Sequence, residues 1–245
     1  QQYLTYMNNL LHGDLGYSIK KTGKTVVDII KEAFPVSAEL GLISLFFAEA
    51  VGLLFGILCA QFRGKWPDYL LMVVAVLGIA LPSMVLGPIL RMIFGVKLGI
   101  LPVTGWGKPN QIILPALVLG LGTVAGNTRN MRASMLAITT QDYVKTARAK
   151  GLSPVRVVLK HQFKNSLVPI IPNLGVQIAG VLMGSFVVES MFLIPGLGRY
   201  FVDSVTNLDY PLIMGLTIFY GAFLVTMNLI VDVLYGLIDP RIRVK

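Results

Sequence analysis

The sequence predicts an all-α, polytopic membrane helical bundle, and three observations predict it. Hydrophobic residues make up 55% of the chain and charged residues only 13%, where a soluble domain carries about 25% charge. Five apolar segments run at approximately 38–60, 69–94, 112–136, 167–189 and 212–236, each near the ~20 residues that cross a bilayer core. The loops between them alternate in lysine and arginine content, as they do in a chain that crosses a membrane repeatedly.

Residues 1–36 are too polar to span and are expected to form an extracytoplasmic segment. Within them Ser18–Thr25, SIKKTGKT, stands one residue from a phosphate-binding loop. That loop requires Gly where Ser18 stands and an apolar strand before it, and neither is present. A short helix from Thr25 through Lys31, ending before Phe34-Pro35, is expected instead.

The spans carry more than lipid-facing residues. In the first, Ala48, Gly52, Gly56 and Ala60 recur every four residues, a small-residue stripe for close helix contact. The second contains Gly78, Pro82 and Pro88, so a bend or break is expected. The fourth places Asn173, Gln177, Gly180 and Gly184 along one helical face. That face avoids lipid, either lining a pathway or packing on a neighbour. Glu49, Arg91, Glu189 and Asp232 are ionisable groups in or near spans. Glu49 is the deep one; Arg91 and Glu189 fall near span ends, where an interfacial role is cheap.

Loop charge sets the expected topology. Arg63 and Lys65 occupy 61–68, Arg129, Arg132 and a basic run occupy the central loop, and Arg241, Arg243 and Lys245 close the chain. The positive-inside rule places these in the cytoplasm and Gln1, 95–111 and 190–211 outside. An outside start with no signal peptide is most simply a chain lacking one upstream helix, six spans in the complete protein. The net charge of +9 is explained by these loops facing membrane lipid, so no nucleic-acid partner is expected. Cys59 stands alone and His12 and His161 are far apart, so no disulfide, metal site or bound cofactor is expected.

The central loop, 139–166, is the longest polar stretch. Thr139 is expected to cap a first helix with Asp142 three residues on. Arg148 and Lys150 suit its last turn, Gly151 the left-handed residue after it, and Ser153-Pro154 the start of a second helix. A loop that merely orients the chain is one reading. A docking element is the other: Ala147 and Ala149 keep the helix slim for close approach, and Tyr143 and Val144 offer apolar anchors.

Several motifs in one order then resemble a known family. GDLGYS at 13–18, FPVSAEL at 34–40, LGILPVTGW at 98–106, DYVKTARAKGL at 142–152 followed by His161, Asn165 and Pro169, ESMFLIPGLGRY at 189–200 and YGLIDPRIR at 235–243 are similar to the inner-membrane permease subunits of oligopeptide/dipeptide ABC importers. The resemblance implies a type I ABC importer transmembrane domain over 37–240 with a cytoplasmic tail at 241–245. It implies a homologous second permease subunit, two ATPase subunits that hold ATP and Mg, and an extracytoplasmic substrate-binding protein. It implies docking on an ATPase through Tyr143, Val144, Lys145, Thr146, Ala147, Arg148, Ala149, Lys150, Gly151, Leu152 and Pro154. The wider importer motif begins Glu-Ala-Ala where this chain has Lys145, Thr146 and Ala147, which leaves open the charge pair that locks the dock. Glu49, Asn173, Gln177, Gly180 and Gly184 are the candidates for a pathway or partner-permease face.

The expected function is a non-enzymatic transport subunit forming half of a pathway for di- or oligopeptides. Nickel chelates, glutathione and sugars are the alternative cargoes within the same architecture. An ion-coupled carrier would favour buried acids and inverted repeats, and here only Glu49 qualifies. No GxSxG, HExxH or paired-carboxylate motif suggests an intramembrane enzyme.

Overall fold

The computed structural model describes residues 2–238. Gln1 and the tail at 239–245, with Arg241, Arg243 and Lys245, lie outside the described residues. The elements are helices: α1 Gln2–Leu11, α2 Val26–Gln61, α3 Trp66–Ala80, α4 Ser83–Leu90, α5 Pro109–Thr139, α6 Asp142–Ala149, α7 Pro154–Arg156, α8 Lys164–Leu167, α9 Ile171–Leu182, α10 Phe186–Phe192, α11 Leu197–Thr206 and α12 Tyr210–Ile238. Two π-helical turns, Arg91–Lys97 and Val157–Phe163, extend α4 and join α7 to α8.

Among the described residues, three helices are long and apolar enough to cross a membrane unaided: Val26–Gln61, Pro109–Thr139 and Tyr210–Val233. Two bent pairs, α3 with Ser83–Lys97 and Asn173–Leu182 with α10, bring the possible spans to five. The expected break in the second span is a 109° bend. It falls at Leu81-Pro82, where α3 ends in extended backbone. Gly78 serves packing instead: a Cβ there would lie 3.0 Å from the Leu121 carbonyl oxygen.

The short helix expected to stop before Phe34-Pro35 does not stop. Thr25, expected as its first residue, is its N-cap, exchanging hydrogen bonds with Asp28, and α2 then runs unbroken through Pro35 to Gln61. Packing of the turns before the proline outweighs the lost hydrogen bond. Before it, Val26, Ile29, Ile30 and Ala33 are buried against Leu212 and Leu216 of α12. Beside it, Phe34 meets the Phe219 and Phe223 rings at 5.8 and 5.2 Å. At ~1.5 Å per residue, α2 outreaches a ~30 Å hydrocarbon core.

The stripe in α2 is used within the chain. A Cβ on Gly52 would sit 2.7 Å from Asn127 Cβ, and one on Gly56 2.4 Å from Met131 Cβ. The α2 and α5 backbones therefore approach too closely for any larger residue. The close helix contact expected of this stripe is made with α5 of the same chain.

Two ends result. At the basic end, Gln61 Nε2 donates to Gln162 Oε1 at 3.2 Å, and Arg132 grips Asp68 through two bonds of 2.8 and 2.7 Å. At the opposite end, Gly105 N donates to the Phe192 carbonyl at 3.0 Å. The 18–25 loop is closed there by pairing of Tyr17 with Thr25 and tied to Asp209 by Ser18, Ile19 and Lys20. The near-miss phosphate motif is thus a structural loop.

Candidate functional site

The docking candidate is a helix, a glycine turn and a second helix at the basic end. Gly151 has φ +73°. Its N–H donates to the Arg148 carbonyl and the Leu152 N–H to the Ala147 carbonyl, the paired bonds of a Schellman ending. Pro154 begins α7 directly after Ser153. Thr139 does not cap α6. The apolar pattern carries α5 on to Thr139, whose Oγ1 folds back on the Met135 carbonyl at 2.8 Å and accepts from Gln162 Nε2 at 3.1 Å. Gln141 takes the cap position.

The face that α6 presents differs from the one its sequence suggested. Val144 and Ala147 are 0% and 4% exposed, packed on Val157 with Ile138 and Leu152 alongside. They anchor the loop to itself, since an eight-residue helix needs tertiary packing to persist. Neither can meet another protein directly. Tyr143, Lys145, Thr146, Arg148, Ala149, Lys150, Gly151 and Pro154 remain exposed. Gln162, fully buried, bonds both Gln61 and Thr139, and Ser134 Oγ donates to the Ser166 carbonyl at 2.9 Å. The loop is therefore fastened to α2 and α5 behind its exposed face.

The second candidate is a polar cleft of about 420 Å³ between α5 and α9. Asn127, Asn130, Asn173 and Gln177 line it with Gly122 and Gly126. Asn127 Nδ2 donates to Glu49 Oε1 at 2.6 Å, and Gln177 Nε2 donates to Asn127 Oδ1 at 3.3 Å. Glu49, Asn173 and Gln177 thus meet at or behind one wall, and Gly180 lies exposed further along α9. Gly184 does not share their face. It sits in the break between α9 and α10 at φ +80°, where a Cβ would fall 2.3 Å from Glu189 Oε1. Asn127 and Asn130 were missed because α5 reads as a mixed segment without a polar stripe.

The profile of the family described as binding-protein-dependent transport system inner membrane component matches residues 52–244. The chain belongs to this family. It is a multi-pass membrane permease component of an ABC importer, not an enzyme. The permease is 44% identical to the dipeptide transport system permease protein DppB of Bacillus subtilis, over 99% of this chain and 79% of that protein. It is 43% identical to the oligopeptide permease OppB of Haemophilus influenzae, over 99% of this chain and 80% of the other. It is 41% identical to the glutathione permease GsiC of Escherichia coli, over 100% and 79%. Among solved structures, the inward-facing MetNI methionine ABC transporter superposes with TM-score 0.62 at 17% identity, covering 84% of this chain and 95% of that one. An amino acid ABC transporter with histidines gives 0.60 at 16%, covering 85% and 93%. These establish the type I importer fold.

Two further polar centres hold the permease together. Glu189, expected near an interface, is fully buried. Its carboxylate accepts from the backbone N–H groups of Ser185, Gly198 and Arg199 at 3.1, 2.8 and 3.3 Å and bonds Ser37. It closes the α10–α11 turn and caps the first turn of α11. Gly196 leaves the room: a Cβ there would meet Glu189 Oε2 at 2.4 Å. Asp68, 2% exposed, holds Arg132, so this arginine is a structural partner and not a free loop charge. Arg91 Nη1 donates to the Met191 carbonyl at 2.8 Å, and Asp232 is exposed on α12.

Proposed function

We propose that this chain forms one half of the translocation pathway of an ATP-driven importer of dipeptides or oligopeptides. A homologous permease supplies the other half, an extracytoplasmic binding protein delivers substrate, and two cytoplasmic ATPases bind ATP and Mg. The basic end, with 61–68 and 139–166, faces the cytoplasm. The observation that carries this reading is the docking loop, whose apolar seam is internal while Tyr143, Arg148 and Lys150 point outward. Peptide cargo is supported by the names of the dipeptide and oligopeptide permeases that align over 99% of the chain.

Closure of the ATPases moves α6. Because Gln162 couples the loop to Gln61 and Thr139, that displacement passes to α2 and α5, whose close seam makes them move together. The cleft between α5 and α9 then changes width. The test is reconstitution of both permeases, both ATPases and the binding protein in vesicles, with labelled dipeptide, glutathione, a nickel chelate and a sugar offered in parallel. ATP-dependent accumulation of the peptide above the other three is expected. Selective accumulation of another cargo overturns the peptide assignment, and accumulation without ATPases overturns the importer reading.

A further inference from the structure

We propose that Glu49 and Gln177 form an acceptor subsite for the α-ammonium end of a peptide in transit through the α5–α9 cleft. This deepens the reading above and rests on it. Glu49, Asn127 and Gln177 form a one-way chain of donation, Gln177 to Asn127 to Glu49, with bonds of 3.3 and 2.6 Å. The carboxylate forces this orientation: a flipped Asn127 would set its carbonyl oxygen against another acceptor. Asn127 Oδ1 in turn draws the Gln177 amide N–H. Two acceptors are left over, Glu49 Oε2 and Gln177 Oε1, both buried and without a partner among the described residues. Among the described residues no lysine or arginine pairs with Glu49.

Burial of two unsatisfied acceptors is costly, and more so for a charged one. Helix packing alone gives no reason to keep them, since an apolar pair would fill the same space. What they lack is a donor with a positive charge and several N–H groups. An ammonium has three and no acceptor. Gln177 and Asn127 line the cleft, about 420 Å³, and Glu49 stands one hydrogen bond behind Asn127, so the cleft brings such a group on an extended peptide to Gln177 first and to Glu49 past Asn127. The longer bond, from Gln177 to Asn127, is the one an incoming ammonium displaces.

The test uses the assembled complex of both permeases and both ATPases without binding protein, so that selectivity arises only in the membrane part. A Thr123→Cys reporter at the cleft wall, in a Cys59→Ala background, is alkylated in the presence of trialanine or of propionyl-dialanine, which has the same length but no amine. Trialanine is expected to protect at a concentration about tenfold lower, the discrimination of one charge-assisted hydrogen bond. Glu49→Gln should erase the difference, and Glu39→Gln, an exposed acid of the same helix, should keep it. Equal protection by both peptides in the unsubstituted complex overturns the subsite while leaving peptide import standing. A reporter that the second permease shields from the reagent overturns it too, making the cleft a subunit interface. Failure of the complete system to import any peptide is the separate result that overturns the functional reading.

Discussion

Gly151 is the residue on which the central loop turns. Its φ of +73° is a left-handed conformation, and nothing lies within 4 Å of where a Cβ would stand. A side chain there therefore pays only backbone strain, about 1 kcal/mol for alanine and more for a β-branched residue. Hydrogen exchange of the α6 amides should accelerate about fivefold in Gly151→Ala, more in Gly151→Val, and least in Gly151→Asn. Equal rates in all three would remove the strain explanation. At the same scale, Asp68→Asn leaves Arg132 half-paired in a poorly solvated site. We expect a loss of about 1–3 kcal/mol, discounted because the Arg132 side chain is 28% exposed. A thermal-melt cycle with Arg132→Met should recover most of it, because the double variant leaves no orphaned charge.

Asp209 extends this to pH. Burial tends to raise its pKa, but the Ser18 hydroxyl and the Ile19 and Lys20 N–H groups outweigh burial and hold it below the ordinary aspartate value. A depressed folded-state pKa means the tether's contribution is fully present above the unfolded value, about 3.9, and is lost as pH falls through the lower folded one. Cleavage after Lys20 or Lys21 by an acid-tolerant lysine-directed protease should therefore rise only under strong acid, and Asp209→Asn should raise it already at neutral pH. A cleavage rate independent of both would show that the loop is held by other contacts.

At the scale of elements, α6 separates two roles that its sequence merged. Val144 and Ala147 fasten the helix from behind, and Tyr143 and Arg148 face outward. Ala147→Glu should drive a charge into the Val144–Val157 seam and loosen the loop to proteolysis, with loss of ATPase pull-down. Tyr143→Ala should lose pull-down while the loop stays protease-resistant. Should Tyr143→Ala and Arg148→Glu both retain full pull-down and uptake, the loop does not dock through this face. The α2–α5 seam gives a sharper case: Gly56→Leu places bulk 2.4 Å from Met131 Cβ, so the permease should fail to accumulate in the membrane, whereas Gly126→Ala meets nothing within 4 Å and should accumulate normally.

For the whole molecule, the two ends must face opposite compartments. A cysteine at Ser153, in a Cys59→Ala background, should react with an impermeant thiol reagent only after the cells are opened. One at Asn207 should react in intact cells. The reverse pattern would invert the assigned orientation. Either result leaves the grouping of loops intact, because Gln61 with Gln162 and Ser18 with Asp209 are joined within the fold.

The sequence by itself determined the five apolar segments, a break in the second of them, the left-handed turn at Gly151 and the family, because hydropathy, proline and glycine act locally and the motifs lie in one order. It also carried Glu49, Asn173 and Gln177 as polar groups out of place in lipid. Only the tertiary structure decided what those groups touch. Pro35 sits inside a helix because Phe34 and Ile29 pack on α12, which no local rule contains. Val144 turned inward because Val157 returns beneath it after Gly151. Glu189 became a buried hub because the α10–α11 turn folds the Gly198 and Arg199 N–H groups onto it, beside that of Ser185. Asn127, silent in its own segment, joined the cleft because Gly52 lets α5 close on α2. Each of these depends on a partner distant in sequence, and burial, hydrogen bonding and close approach are properties of the pair.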